Sequence, residues 1–378
     1  MQYRRFGNCD FEVSTLGFGL MRLPLDGEES SDIDEAESIR MVHRAIDSGL
    51  SYLDSGYGYH GGNSERLAAK ALKGGFRDKV ILATKLPSWL IETEDDFDRY
   101  LNEQLEKLET EHIDVYLLHG LNADRWNQLF KLGVLPFLDR ALEDGRIKHA
   151  GFSFHDDLDV FKEIVDAYDW DMCLIQLNFM DQEYQAGVAG LQYAGKKGMA
   201  VAVMEPLRGG KLAGDVPDDV GEIWARADVQ RTPAEWALRW VCNHPEVSVV
   251  LSGMSTMEQL EQNIQTVEDA LPGSLTDEEL ALIDEVRDIY LSRMQVNCTA
   301  CGYCIPCPSD VAIPRVFSLH NEASMYETVE GAARSYQAML DKETGAPSCI
   351  ACGQCEAACP QDIPIIDALQ KAHKHLTD

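Results

Sequence analysis

A chain of 378 residues with 45% hydrophobic residues is long enough for a barrel-sized domain plus a smaller one, and too apolar to be disordered. Its formal net charge of −31 repels nucleic acid and anionic membranes and suits solubility or a basic partner. No apolar run approaches the roughly 18 residues that span a bilayer. Met1-Gln2-Tyr3-Arg4-Arg5 leads into polar sequence, not the apolar core of a secretory signal. The expectation is a cytoplasmic protein with no nucleic-acid or membrane partner.

In chain order, Tyr3–Phe6 and Phe11–Val13 flank a Gly-Asn-Cys-Asp turn and read as a hairpin. Short apolar runs then predict strands at Thr15–Leu20, Ser51–Asp54, Val80–Lys85, Val115–His119, His149–Ser153, Cys173–Gln176, Ala200–Met204 and Val247–Ser252. Amphipathic helices are predicted between them at Asp34–Ser48, Glu65–Lys73, Glu94–Leu108, Leu135–Asp144, Leu158–Tyr168, Val188–Lys197 and Pro233–Asn243. Strand and helix alternating in this way is the pattern of an α/β fold, a (β/α)8 TIM barrel, with the hairpin plugging its floor. Ser255-x-x-Glu258 and Thr276-x-x-Glu279 read as capping boxes, the second opening a helix that ends the barrel near Leu291. The expected division is a barrel over 1–291 and a small, mainly helical domain over 292–378.

Eight of the eleven cysteines lie in two arrays in that second domain. The first is Cys298, Cys301, Cys304 and Cys307, followed by Pro308; the second is Cys349, Cys352, Cys355 and Cys359, followed by Pro360. They form an internal repeat, with Cys301-Gly302 matching Cys352-Gly353 and Pro308-Ser309-Asp310 matching Pro360-Gln361-Asp362. C-x2-C-x2-C closed by a further cysteine and a proline is the spacing of a [4Fe-4S] cluster, so two clusters are expected. Zinc is the rival reading, because it too takes four thiolates, often as separated C-x2-C pairs. The segment resembles bacterial two-cluster ferredoxins. The long helical stretch from Val316 to Leu340 brings it nearer the α-helical ferredoxin module of fumarate reductase-type subunits. The resemblance implies that the fourth cysteine of each run serves the other cluster. One cluster would take Cys298, Cys301, Cys304 and Cys359, the other Cys349, Cys352, Cys355 and Cys307. Cysteines used this way indicate a reducing compartment. Cys9, Cys173 and Cys242 stand alone and read as structural.

In a barrel the chemistry sits at the C-terminal ends of the strands. Asp54 ends the second predicted strand, with Tyr59 shortly beyond it; Lys85 ends the third and His119 the fourth. This tetrad, with Asp54-Ser55-Gly56-Tyr57-Gly58-Tyr59, Asn63-Ser64-Glu65 and the Ser252–Asn263 segment, resembles the aldo-keto reductases from Tyr3 to about Leu291. The whole chain is similar to anaerobe-type members that carry a C-terminal ferredoxin-like extension. A free phenol has a pKa of about 10 and is a poor acid at neutral pH. Lys85 would lower it, Asp54 would keep Lys85 charged and aimed, and His119 would hold the carbonyl oxygen or relay a proton. Tyr57 is a nearby alternative to Tyr59, and Trp89 and Trp126 are candidate pocket walls.

The resemblance further implies a nicotinamide dinucleotide across the barrel mouth. Ser153 and Gln176 match positions that hold its carboxamide, and Asn263 an adenine-side position. Leu207-Arg208-Gly209-Gly210-Lys211 offers amides and cations to a pyrophosphate. A helix opening at Ser255, after Ser252, offers its N-terminus to phosphate. Met204 stands where the family stacks an aromatic ring, and Phe154 where it has an asparagine. Gly253, Met254 and Gln259 replace residues that grip a 2′-phosphate, which favours NADH over NADPH. Hydride carries two electrons and each cluster one; a flavin is a further candidate to bridge them. The expected function is interconversion of a small carbonyl compound and an alcohol, with ferredoxin or another redox protein as a candidate electron partner. Two other readings stay open: an electron-transfer subunit whose barrel is a docking scaffold, and a non-redox lyase or isomerase.

Overall fold

A computed structural model describes residues 1–298, 300 and 302–378. Two compact units are distinguished: Met1–Gly214 with Arg231–Thr276, and Asp215–Gln230 with Asp277–Asp378.

The first unit opens with β1 (Tyr3–Arg5) and β2 (Glu12–Ser14), paired antiparallel with Arg4 opposite Val13. Eight strands follow: β3 (Leu16–Gly19), β4 (Tyr52–Asp54), β5 (Ile81–Leu86), β6 (Ile113–Leu121), β7 (Ile147–Phe154), β8 (Met172–Gln176), β9 (Ala200–Met204) and β10 (Val247–Ser252). They close a parallel barrel in sequence order, β10 pairing with both β9 and β3. Helices α1 (Glu35–Asp47), α2 (Ser64–Ala71), α3 (Asp95–Lys107), α4 (Ala123–Lys131), α5 (Val134–Glu143), α6 (Leu158–Asp166) and α7 (Gly187–Lys196) connect β3 through β9. After β9 come α8 (Asp218–Trp224), which belongs to the second unit, α9 (Pro233–Cys242), and, after β10, α10 (Met257–Glu268). The architecture expected of the sequence is therefore present, with strand ends within a few residues of those predicted.

The period-two rule explains the filling of the barrel. Val115 and Leu117, Met172 and Leu174, Ala200 and Ala202, and Val249 and Leu251 point inward from four strands into one buried cluster. Gly17 leaves room for them: a Cβ there would stand 2.6 Å from Leu251 Cδ2 and 2.7 Å from Val249 Cγ1. The hairpin closes the other end, and its Phe6 and Val13, both fully buried, join the same cluster. Gly7 has φ +55°, and a Cβ on it would meet Gly198 O at 2.6 Å. The turn thus lies directly against the start of β9, held by a hydrogen bond from Asn8 N to Gly198 O (2.8 Å).

Arg4 fastens the hairpin. Its guanidinium donates to the carbonyls of Val247 (2.7 Å), His244 (3.2 Å), Cys242 (2.6 Å) and Ala270 (3.3 Å). Cys242 is the last residue of α9, whose terminal carbonyls have no partners within the helix. One expected box is displaced by a residue. Thr256, not Ser255, caps α10 by accepting from Gln259 N (3.2 Å), and Gln259 Oε1 accepts from Ser255 N (2.8 Å). The Ser255 hydroxyl instead donates to Arg22 O (2.7 Å).

The second unit is helical: α8, α11 (Asp277–Ser292), α12 (Ile313–Tyr326), α13 (Val329–Asp341), α14 (Gln354–Ala358) and α15 (Ile365–Thr377). Val316, Phe317, Leu319, Tyr336, Leu369, Ala372 and Leu376 form the centre of its core. The helix α11, expected to complete the barrel, groups with this unit.

Replacing Arg4 with methionine should leave several carbonyls at the barrel floor without donors. We expect a loss of about 3 kcal/mol in barrel stability, read from the midpoint of its urea transition, whereas Arg5→Met should change it little.

Candidate active site and cluster cradle

Asp54 closes β4, and Lys85 lies near the end of the neighbouring β5. Parallel pairing aligns Asp54 with Ala83, two residues before the lysine. The buried Lys85 ammonium donates to Asp54 Oδ1 (2.6 Å) and to the Ser55 carbonyl (2.5 Å). It also lies 4.9 Å from the centre of the Tyr59 ring. Burial works against the lysine charge, but Asp54 and Tyr59 outweigh it and raise its pKa. Burial raises the Asp54 carboxyl while Lys85 pulls it back down. Within the pair each group favours the other's charged form.

Tyr59 reaches this lysine because residue 56 is glycine. A Cβ at Gly56 would stand 2.9 Å from Tyr59 Cζ. Burial raises the phenol above its ordinary value; Lys85 lowers it and Asp54 raises it. The expected lowering by Lys85 is present as a force but does not set the net direction, because the ring is dehydrated. Tyr57 points elsewhere: its hydroxyl donates to Glu103 Oε1 (3.1 Å) and its ring lies 3.8 Å from Lys107 Nζ.

His119, in β6, meets Tyr59 edge-on at 5.8 Å between ring centres. Its pKa is held down to about 2 by burial, then by Lys85, His155 and Arg125. The imidazole is thus neutral at any working pH, and its buried Nδ1 has no hydrogen-bond partner among the described residues. Trp89 packs against the same ring at 5.1 Å and is exposed, as a pocket wall would be. Trp126 is instead buried, beside Phe130 and Trp170.

A second buried network stiffens the site from behind. Glu65 Oε1 accepts from Thr84 Oγ1 (2.7 Å) and Gln104 Nε2 (2.6 Å). Gln104 also donates to the Lys85 carbonyl (3.0 Å) and accepts from Tyr116 (2.7 Å). Ser64 shares a hydrogen bond with Ser55 (2.9 Å), which follows Asp54. Ser64 and Glu65 of the Asn63-Ser64-Glu65 motif therefore brace the strand ends that carry Asp54 and Lys85.

The expected cofactor residues ring the barrel mouth. Ser153 is buried in β7 and accepts from Gly120 N (2.7 Å). Gln176 ends β8 and donates to Asp181 Oδ2 (3.0 Å), which also accepts from Asn178 (3.0 Å) and pairs with Arg208 (3.3 Å). Met204 ends β9 against the barrel core. In the Leu207–Lys211 turn Gly209 has φ +68°, but the amides of Arg208, Gly210 and Lys211 donate within the loop. Asn263 donates to Ser252 Oγ (3.0 Å) at the end of β10, while Gln259 is engaged at the start of α10.

Three residues escaped the sequence reading. Asn178 and Asp181 organise the loop after β8, and Arg22 follows β3. The exposed Arg22 side chain lies against Gly253, whose Cβ would meet Arg22 Cγ at 2.8 Å. Its Nη2 is 3.9 Å from the Cβ position of Gly209. All three follow barrel strands at their C-terminal ends, so the strand-end rule applied to every strand would have found them.

Residues 15–288 match the Aldo/keto reductase family. The chain belongs to that family. Among relatives, it is 26% identical over 315 residues to "Probable aldo-keto reductase 1" of Glycine max, covering 74% of this chain and 87% of the relative. It is 23% identical over 324 residues to the "NADH-specific methylglyoxal reductase" of Escherichia coli K12, covering 75% and 97%. The holo form of the aldo-keto reductase AKR11C1 from Bacillus halodurans superposes with TM-score 0.63 at 26% identity, over 75% of this chain and 96% of that one. The protein is thus an oxidoreductase of aldo-keto reductase type, a family that implies a nicotinamide cofactor and small carbonyl or alcohol substrates.

Residues 297–364 match the 4Fe-4S dicluster domain, which supports bound iron–sulfur clusters. Cys301 lies outside the described residues. The others line two cavities of the second unit. Cys307, Cys349, Cys352 and Cys355 line one, with Cys304 also on its wall. Cys298, Cys304 and Cys359 line the other. The backbone repeats with the sequence: Ala300 and Gly302 have φ +55° and +77°, Ala351 and Gly353 +54° and +75°, and Asp310 and Asp362 +54° and +50°. No helix among the described residues is long and apolar enough to cross a membrane.

Lys85→Met should strand the Asp54 charge and cost about 3–5 kcal/mol in barrel stability. Lys85→Met combined with Asp54→Asn should recover more than half of that loss in the same urea titration, since neither charge is then left alone.

Proposed function

We propose that the barrel interconverts a carbonyl and an alcohol with Tyr59 as general acid in reduction and general base in oxidation. The single observation that carries this reading is the buried Lys85–Asp54 pair beside Tyr59, with a neutral His119 facing the same space. When bound, a nicotinamide dinucleotide supplies or accepts the hydride. Tyr59 donates its phenolic proton to the substrate oxygen as that oxygen gains negative charge. Lys85 stabilises the phenolate left behind, and Asp54 keeps the ammonium charged and in place. His119 orients the carbonyl through a neutral nitrogen, so it contributes no ionisation of its own near pH 7.

The residues present fit such a cofactor at several points. Ser153 and Gln176 are the carboxamide candidates, Ser252 and Asn263 the adenine-side candidates. Arg22, between Gly253 and Gly209, supplies a cation for a pyrophosphate near Leu207 and Gly209. We favour NADH over NADPH. Gly253, Met254 and Gln259 carry no charge to meet a 2′-phosphate, and Gln259 is also engaged at the start of α10.

In the second unit Cys307 shares a cavity with Cys349, Cys352 and Cys355, and Cys359 shares one with Cys298 and Cys304, which lies on both walls; this supports ligation across the runs. We propose Cys298, Cys301, Cys304 and Cys359 as ligands of one [4Fe-4S] cluster, and Cys307, Cys349, Cys352 and Cys355 of the other. Thiolates on this spacing suit iron–sulfur clusters, which pass single electrons. Ferredoxin or another redox protein is the partner class they suit, with a flavin the candidate group for joining one-electron and two-electron steps. We assign the protein to the cytoplasm, where such cysteines stay reduced.

Tyr59→Phe should lower carbonyl reduction at least about 100-fold while leaving NADH binding, measured by fluorescence, unchanged. The raised phenol pKa means that Tyr59 keeps its proton through neutral pH. Wild-type reduction should therefore hold steady from about pH 6 to 9 and decline above about 10, with no acid limb from His119. Full turnover by Tyr59→Phe would remove the assignment.

Cross-run ligation has a separate readout. A chain carrying Cys349, Cys352 and Cys355 as alanines should hold about four irons after anaerobic reconstitution, and adding Cys359→Ala should release them. If each run serves its own cluster, the added substitution changes nothing.

A further inference from the structure

Cys9 has closer neighbours than its sequence position suggests. It sits in the hairpin turn at the barrel floor and faces His149 in β7 and Asp171 just before β8. Cys9 Sγ is 3.7 Å from His149 Nδ1 and 3.6 Å from Asp171 Oδ1, and those two atoms are 3.3 Å apart. We propose that Cys9, His149 and Asp171 form a zinc-binding site, with water as the fourth ligand, that clamps the hairpin onto the barrel floor.

The spacing carries the argument. Zinc bonds of about 2.3 Å to sulfur, 2.0–2.1 Å to nitrogen and 2.0–2.2 Å to oxygen, at tetrahedral angles, separate the donors by about 3.5 Å for sulfur–nitrogen and sulfur–oxygen and about 3.4 Å for nitrogen–oxygen. The three distances here fall within about 0.2 Å of those values. As a hydrogen bond the His149 Nδ1–Asp171 Oδ1 contact of 3.3 Å is long, since N–H···O bonds cluster near 2.9–3.0 Å, whereas the two contacts to sulfur are of ordinary length. A tight hydrogen-bonded trio would draw the imidazole and carboxylate closer.

The surroundings are those of a preformed site. Asp171 Oδ2 accepts from Ala150 N (2.9 Å), which aims Oδ1 at the other two donors. The turn bearing Cys9 is pinned through Asn8 to Gly198 and through Cys9 N to Phe6 O (3.0 Å). Phe6 and Phe11, ring centres 6.0 and 5.3 Å from that of His149, fix the imidazole plane. The His149 and Asp171 side chains keep 24% and 29% of their exposure, so water can reach the open corner. A thiolate, an imidazole and a carboxylate suit a borderline-soft divalent ion and disfavour calcium and magnesium. The donors are separated by 140 and 22 residues, so a metal here would cross-link the N-terminal turn to two barrel strands.

The test uses the full chain with its clusters reconstituted, freed of loose metal by a mild chelator and titrated with Zn2+ alone. We expect about one zinc per chain beyond the iron. Zinc-edge absorption should show one sulfur at about 2.3 Å and nitrogen or oxygen at about 2.0–2.1 Å. Cys9→Ser and His149→Gln should each weaken zinc at least about tenfold, with iron content unchanged. Zinc should raise the barrel's melting temperature in the wild type and not in those variants. Asp171→Asn is the second variant should His149→Gln fold poorly. Zinc in a four-sulfur shell that survives Cys9→Ser would place the metal at vacant cluster cysteines and overturn the proposal. No uptake at micromolar zinc would overturn it too, leaving a hydrogen-bonded trio.

Discussion

An ammonium group without water must be surrounded by compensating charge, and the architecture around Lys85 answers that demand. An isolated buried charge would cost far more than the few kcal/mol by which domains are stable. Lys85 is 1% exposed, and Asp54, the Ser55 carbonyl and the Tyr59 ring surround its head. Parallel pairing of β4 with β5 sets Asp54 opposite Ala83, and Lys85, two residues further on, reaches the carboxylate from the neighbouring strand. Behind them Gln104 grips the Lys85 carbonyl, and Glu65 holds Gln104 and Thr84. A hydrophobic pair would be as stable in that position or more so. The ion pair makes physical sense as a means of holding a positive charge beside a phenol, at the cost of a supporting network several residues deep.

The same constraint explains why small residues gather at the mouth. Tyr59 approaches only because Gly56 lacks a side chain. Gly120, with φ +61°, turns the chain just after His119 so that its amide meets Ser153. Arg22 lies over Gly253, where any side chain would collide with it. Each loop follows a strand whose inward residues already fill the interior, so the mouth is shaped by backbone and the floor by side chains. The floor needs its own closure, which Phe6 and Val13 provide by packing and Arg4 by satisfying carbonyls.

The barrel was legible in the sequence because a parallel strand buried on both faces leaves a short apolar run, and each run here precedes an amphipathic helix. The meeting of Asp54, Lys85 and His119 was legible because they lie at or near the ends of neighbouring strands, with Tyr59 in the loop after β4. What escaped depends on contacts between distant residues. The different placements of Tyr57 and Tyr59 depend on Glu103 and Lys107, nearly fifty residues away, which engage Tyr57. The net direction of the Tyr59 shift depends on how dehydrated the ring is, which no spacing encodes. The α10 cap moved from Ser255 to Thr256 because the Ser255 hydroxyl is drawn to Arg22 O. Cys9 looked solitary because its neighbours come from two strands that only the closed barrel brings beside the hairpin.

The cysteine-rich unit poses the opposite problem, too little core instead of too much charge. Its apolar centre is small, and Cys298, Cys304, Cys307, Cys349, Cys355 and Cys359 pack directly against it. As thiolates without metal, these groups would bring negative charge to the edge of that core in a chain that is already strongly acidic. Iron eases the conflict, since each cluster core offsets part of its ligands' charge. The duplicated left-handed residues Ala300 and Gly302, Ala351 and Gly353, turn the backbone alike in both arrays. Such turns present successive amides to an anionic centre. Two clusters bound across the runs would thus serve the unit's own folding before any electron is passed.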